Sequence, residues 1–121
     1  MENGTRRRAE IWGRAAESLA AWRLRLKGYR IVARRFRTHL GEIDLIACRG
    51  RVLAMVEVKA RGEEETALAA LPAQQRQRIE RAALTFLQQQ PRFSGFALRF
   101  DLILVVPWRW PRHIIDAWRP A

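Results

Sequence analysis

Five charged residues interrupt the two short apolar runs of residues 41–61, GEIDLIACRGRVLAMVEVKAR: Glu42, Asp44, Glu57, Lys59 and Arg61. A partly buried carboxylate is costly unless something positive or hydrogen-bonding compensates it. Sites of one or two carboxylates, a backbone carbonyl and water suit Mg²⁺ or Mn²⁺, and Lys59 adds a positive group beside the pair. The competing chemistry is plain neutralisation on a solvated sheet face, with Lys59 pairing Glu57 or Glu42. Spacing alone leaves both open.

Either reading needs the charges to share a face. Ile43, Leu45, Ile46, Val52, Leu53, Met55, Val56 and Val58 favour strands, and Arg49-Gly50-Arg51 supplies a turn, so the stretch reads as a β-hairpin. Alternation groups Glu42, Asp44 and Ile46 on one face of the first strand, and Leu53, Met55, Glu57, Lys59 and Arg61 on one face of the second. A type II′ turn with Gly50 first pairs Arg49 with Val52. Counting outward, Asp44 falls opposite Glu57 and Glu42 opposite Lys59. A turn on Arg49-Gly50 leaves the two carboxylates diagonal; a three-residue loop without a bulge puts them on opposite faces.

The flanking chain is expected to support this hairpin. Residues 5–27 read as a helix capped by Thr5 and stopped at Gly28. Ile11, Ala15, Leu19, Trp22 and Leu26 make one apolar stripe; Gly13, Glu17, Ala20, Ala21 and Leu24 make a second, so the helix is expected to bury two faces. Glu17 is either a third carboxylate over the hairpin or a surface acid paired with Arg14 or Arg25. Residues 29–36 form a first strand, leading to the basic run Arg34, Arg35 and Arg37, which could hold a phosphate backbone or simply be a solvated face. His39 is a loop histidine that could assist proton transfer.

Residues 61–66, with Glu63, Glu64 and Glu65, read as a polar loop. Ile79, Ala82, Ala83, Phe86 and Leu87 then give a second amphipathic helix over residues 73–90. Its other face carries Gln74, Gln75, Arg76, Gln77, Arg78 and Arg81, and Arg76 and Arg78 are candidate phosphate contacts. Residues 96–106 form a buried strand interrupted by Asp101, whose expected role is capping or pairing with an arginine. A short edge strand follows Pro111. Trp108 and Trp110, interleaved with Arg109 and Arg112, could stack on bases, cover the sheet edge or meet a second copy of the chain. The expected architecture is α/β, a mixed sheet of about five strands flanked by helices, in the order α-β-β-β-α-β-β.

Composition narrows the partners. The 121 residues suit one domain, 1–121. Twenty-three Lys and Arg against 12 Asp and Glu give a net charge of +11, which favours nucleic acid or another anionic partner. The apolar runs are too short to span a bilayer and the first residues lack a signal-peptide core, so the expected location is the cytoplasm, with no membrane partner. One cysteine, Cys48, excludes an intrachain disulfide and a Cys-cluster zinc site, and two histidines leave carboxylates as the metal donors.

The order of elements, with Asp44 followed by Glu57-Val58-Lys59 on the next strand, resembles the PD-(D/E)XK nuclease fold of restriction endonucleases and archaeal Holliday-junction resolvases. More specifically, Gly13-x-x-x-Glu17, Gly28-Tyr29, Gly41-Glu42-Ile43-Asp44-Leu45-Ile46-Ala47, Val56-Glu57-Val58-Lys59-x-Arg61 and Arg99-Phe100-Asp101 resemble the YraN family of bacterial proteins. The resemblance spans nearly the whole chain. It implies a restriction-endonuclease-like fold, association with nucleic acid, expected to be DNA, and a site in which Asp44, Glu57 and the Val58 carbonyl hold Mg²⁺ or Mn²⁺. Glu17 and Lys59 would assist, and Arg61 would hold the flanking backbone. Three positions depart from the family pattern: Arg35 stands where asparagine is expected, Ala60 where threonine is, and a glutamine near Gln75 where lysine is usual.

Overall fold

A hairpin whose turn is Gly50-Arg51 sits at the middle of the sheet. The computed structural model describes residues 2–60 and 67–121; Arg61 and the acidic loop Glu63, Glu64 and Glu65 lie outside the described residues. The elements are α1 (Glu2–Leu26), β1 (Arg30–Arg37), β2 (Glu42–Arg49), β3 (Val52–Lys59), a short α2 (Ala67–Ala70), α3 (Ala73–Gln89), a 3₁₀ turn (Pro91–Phe93), β4 (Ala97–Leu104) and β5 (Arg112–Trp118). Apart from the short α2, this is the expected order. The helix α1 begins before Thr5, so Thr5 lies inside it rather than capping it.

The five strands lie side by side in sequence order. Neighbours run antiparallel except β3 and β4, which are parallel. A parallel pair needs a crossover, and α2 and α3 provide it. Arg49 pairs with Val52 and the ladder continues to Leu45 and Val56. Gly50 has φ +58 and Arg51 is not left-handed, the pattern of a type II′ turn.

Helices cover both faces. On one, Ile79, Ala82, Ala83 and Phe86 of α3 pack on Ile46, Cys48, Leu53, Met55 and Phe100. On the other, Ala16, Ala20, Ala21 and Leu24 of α1 pack on Leu45, Ala47, Ala54, Val56 and Ile103. The alanines let α1 approach the sheet closely. Only this face of α1 is buried: Ile11, Leu19, Trp22 and Leu26 are 43–66% exposed, which corrects the expectation that both stripes are covered. Periodicity identifies two apolar faces, and the small-residue one takes the sheet. At its C-terminus α1 closes with Gly28 at φ +90 and the Tyr29 N–H donating to the Leu24 carbonyl at 3.0 Å, the six-to-one bond of a Schellman ending.

Candidate metal and nucleic-acid site

Met55, Glu57 and Lys59 project from one side of β3, and Met55 fixes that side as the one under α3. Asp44 lies one residue beyond the last ladder pair of β2, beside Glu57. The Val58 N–H donates to Asp44 Oδ2 at 2.8 Å, so the edge of the hairpin ends on a carboxylate instead of a carbonyl. Glu42, Asp44, Glu57, Gln74, Gln75, Arg78 and Ile79 line a cavity of about 370 Å³.

The turn between β1 and β2 brings α3 to this cavity. Thr38 Oγ1 accepts from the Leu40 and Gly41 N–H groups, both at 3.0 Å. A Cβ built on Gly41 would lie 2.0 Å from the Arg78 carbonyl oxygen. Only glycine permits this approach, which explains the residue before Glu42 in physical terms.

Burial governs the electrostatics. Glu57 is 7% exposed. Desolvation first, then the Asp44 charge, pushes its carboxyl up to about 8, against the pull of Lys59. Desolvation likewise pushes Asp44 up to about 6, with Glu17 and Glu42 adding to the rise and the Val58 N–H opposing it. The pair thus resists carrying two negative charges. Lys59 Nζ stands 3.6 Å from Glu57 Oε1 and donates to Gln75 Oε1 at 3.1 Å, while Gln75 Nε2 donates to the same Glu57 oxygen at 3.0 Å. Gln75 therefore bridges the lysine and the acid. A glutamine on a polar helix face gives no sequence signal for this role beyond its departure from the family pattern.

The other expected site residues divide. Glu17 leans toward the site closely enough for its charge to raise Asp44, but its partner is Arg35, Nε to Oε1 3.0 Å, and not Arg14 or Arg25. Arg35 lies between the pairs Arg34–Leu45 and Phe36–Ile43, across from Asp44, with a left-handed φ of +51. Asparagine tolerates that conformation better than arginine, so the residue expected there fits the backbone. Glu42 pairs with Arg37 at 3.3 Å, and the ladder between β2 and β3 stops at Leu45 and Val56, short of Glu42 and Lys59. Arg34 is exposed and donates to Ser18 Oγ at 3.3 Å. Arg78 lines the cavity; Arg76 holds a buried Nε without a hydrogen-bond partner among the described residues. His39, Trp108 and Trp110 are exposed.

No group of three or more His, Cys, Asp or Glu able to hold a metal occurs among the described residues. The donor set at the hairpin is Asp44 and Glu57, both displaced toward protonation, by burial first. Such a pair fits a hard divalent cation, whose charge would offset the cost of ionising both acids. No helix among the described residues is long and apolar enough to cross a membrane.

Comparison with known proteins matches residues 16–105 to the profile described as "Uncharacterised protein family UPF0102". The chain belongs to this family, the YraN family that its motifs resemble. A UPF0102 protein of Parvibaculum lavamentivorans is 59% identical over 108 residues, covering 89% of this chain and 81% of that one. Relatives from Paramagnetospirillum magneticum and Bartonella bacilliformis are 51% and 50% identical over 115 and 114 residues, covering 92% and 94% of this chain and 89% and 93% of theirs.

Proposed function

We propose that this UPF0102 protein is a metal-dependent DNA endonuclease of the restriction-endonuclease-like fold, acting on branched or otherwise structured DNA. The observation that carries the reading is the convergence of Asp44 and Glu57 at one wall of a polar cavity, with Lys59 Nζ 3.6 Å from Glu57 and both carboxyls displaced toward protonation. Asp44, Glu57 and the Val58 carbonyl would hold Mg²⁺ or Mn²⁺, with Glu17 contributing directly or through water once Arg35 releases it. A bound ion of this kind supplies charge to the scissile phosphate and acidifies water. Lys59 stabilises charge developing on the phosphate or orients the attacking water, and Gln75 holds both Lys59 and Glu57 in place. Arg34, Arg35, Arg37, Arg76 and Arg78, with Arg61, supply the positive surface that positions the flanking backbone.

The test is nicking of labelled junction, flap and duplex DNA with Mg²⁺ or Mn²⁺ by wild type, Asp44→Ala and Lys59→Ala. Loss of cleavage in both variants supports the reading. Equal cleavage by all three assigns it to another site.

A second reading has its own support. Glu57 is already bonded by Gln75 and Lys59, and Glu17 by Arg35, as in a pocket whose charges are neutralised from within. A noncatalytic nucleic-acid-binding protein of the same fold predicts salt-sensitive DNA binding without turnover.

A further inference from the structure

A second polar network lies away from the hairpin site, where β4 and β5 meet the end of α1. Asp101 is wholly buried. It accepts from Arg99 through both oxygens, at 2.8 and 2.7 Å, and from the Asp116 N–H at 3.0 Å. His113 Nε2 is 2.8 Å from Asp101 Oδ2, and His113 Nδ1 is 2.6 Å from Lys27 Nζ. The His113 side chain is 1% exposed, whereas Lys27 is half-buried and open to solvent.

The order carboxylate, imidazole, amine fixes the imidazole's proton. Asp101 accepts from Nε2–H, which leaves Nδ1 as the acceptor facing the Lys27 ammonium. This is the arrangement by which an acid orients a base and the base prepares a nucleophile.

Composition adds an independent observation. Lys27 and Lys59 are the two lysines among 23 Lys and Arg residues. Where this chain needs only positive charge it uses arginine. Each lysine stands in a part-buried hydrogen-bonded network, and lysine, unlike arginine, can give up its proton there.

We propose that Lys27 is a nucleophilic acylation site, with His113 as its base and Asp101 as the residue that orients His113, and that its substrates are small acyl phosphates. Lys27 passes one proton to His113 Nδ1. The free amine attacks the acyl carbon; the C–N bond forms, and the C–O bond breaks with its electron pair leaving on phosphate. The remaining excess proton on nitrogen goes to the departing phosphate, and the imidazolium returns its proton to water. Arg23 from α1, Arg49 from β2 and Arg99 from β4 place positive charge around Lys27, against the single acid Asp101. Burial first, and then these guanidiniums, lower the affinity of Lys27 for its proton. The same guanidiniums favour a phosphate leaving group over a neutral one.

The experiment treats the full chain with acetyl phosphate across a pH series and follows acetylation of each lysine by peptide mass spectrometry. Lys59, whose side chain is 13% exposed and paired with Glu57, is the internal comparator, and the urea-unfolded chain sets the equal-reactivity baseline. Lys27 in the folded chain should react about tenfold faster than Lys59. That advantage should vanish in urea and in His113→Gln, which keeps an acceptor but takes no proton. Excess inorganic phosphate should slow Lys27 selectively. Equal rates for the two lysines in the folded wild type, or an undiminished Lys27 advantage in folded His113→Gln, would overturn the proposal. If His113→Gln does not fold, the wild-type comparison decides alone.

Discussion

Asp101 and the Asp44–Glu57 pair are buried acids on the same sheet with opposite fates. Burial alone would raise Asp101, but hydrogen bonds from His113, Arg99 and the Asp116 N–H outweigh it and hold the carboxyl below its usual range. Asp44 and Glu57 receive fewer such bonds, so burial raises both, with the Glu17 and Glu42 charges adding to the rise of Asp44 and the Asp44 charge to that of Glu57. One cluster is complete within the chain, even to the left-handed Asp116, φ +55, that aims its N–H at the acid. The other keeps two carboxyls that burial displaces toward protonation. A buried carboxylate is therefore informative less by its burial than by whether the chain has already answered its charge.

The sharpest separation of the two is functional. Asp44→Ala should reduce metal-dependent nicking about a thousandfold, a rise of about 4 kcal/mol in the barrier. Asp101→Asn should retain nicking under conditions where it remains folded. Parallel loss in both variants would collapse the distinction.

Stability should reverse the ranking. Asp101→Asn leaves the Arg99 guanidinium without its anion and should cost about 3 kcal/mol in urea unfolding. An Asp101→Asn variant as stable as wild type would mean that solvent, not the network, satisfies Arg99.

Proton linkage gives the two clusters opposite signs. Asp44 and Glu57 are raised on folding, so their contribution is fully present below the unfolded carboxyl range near pH 4 and is lost as pH rises through about 6 and about 8. Asp101 is lowered, so its contribution is present above that range and is lost in acid, as pH falls through its depressed value. Thermal melts without divalent ions should decline from mildly acidic to alkaline pH. Glu57→Gln should flatten that decline, and Mg²⁺ should oppose it at the alkaline end, where the ionised pair competes best for cations. A slope unchanged by Glu57→Gln would assign the linkage elsewhere.

The smallest effect concerns Arg35. Arg35→Asn gives up a part-buried bond to Glu17 and relieves a left-handed arginine. A slight rise in the urea midpoint is the expected result; a marked fall would show that the Arg35–Glu17 link supports the hairpin.

The hairpin is legible in the sequence, but its register is one of three that the turn at residues 49–51 allows, and the Arg49–Val52 pair selects the Gly50-Arg51 turn, which puts both acids on one face. Five strands and their order followed from punctuation and apolar runs. The packing of α1 did not, because two apolar stripes look equivalent until size is weighed: Ala16, Ala20 and Ala21 reach the sheet, while Trp22 and Leu26 stay outside. The partner of Glu17 was missed because Arg35 lies on another element. The bridge at Gln75 and the link from Asp101 to His113 are likewise long-range contacts. Local spacing carries no trace of them.

The parallel pairing of β3 with β4 also orders events during synthesis. Asp44 and Glu57 lie on strands joined by a two-residue turn, a contact that forms from local chain alone. Gln75 and Arg78 belong to the crossover that must emerge before β4 can dock, and such nonlocal pairing is slow. A nascent chain therefore brings its two acids together before it has made the helix that covers them.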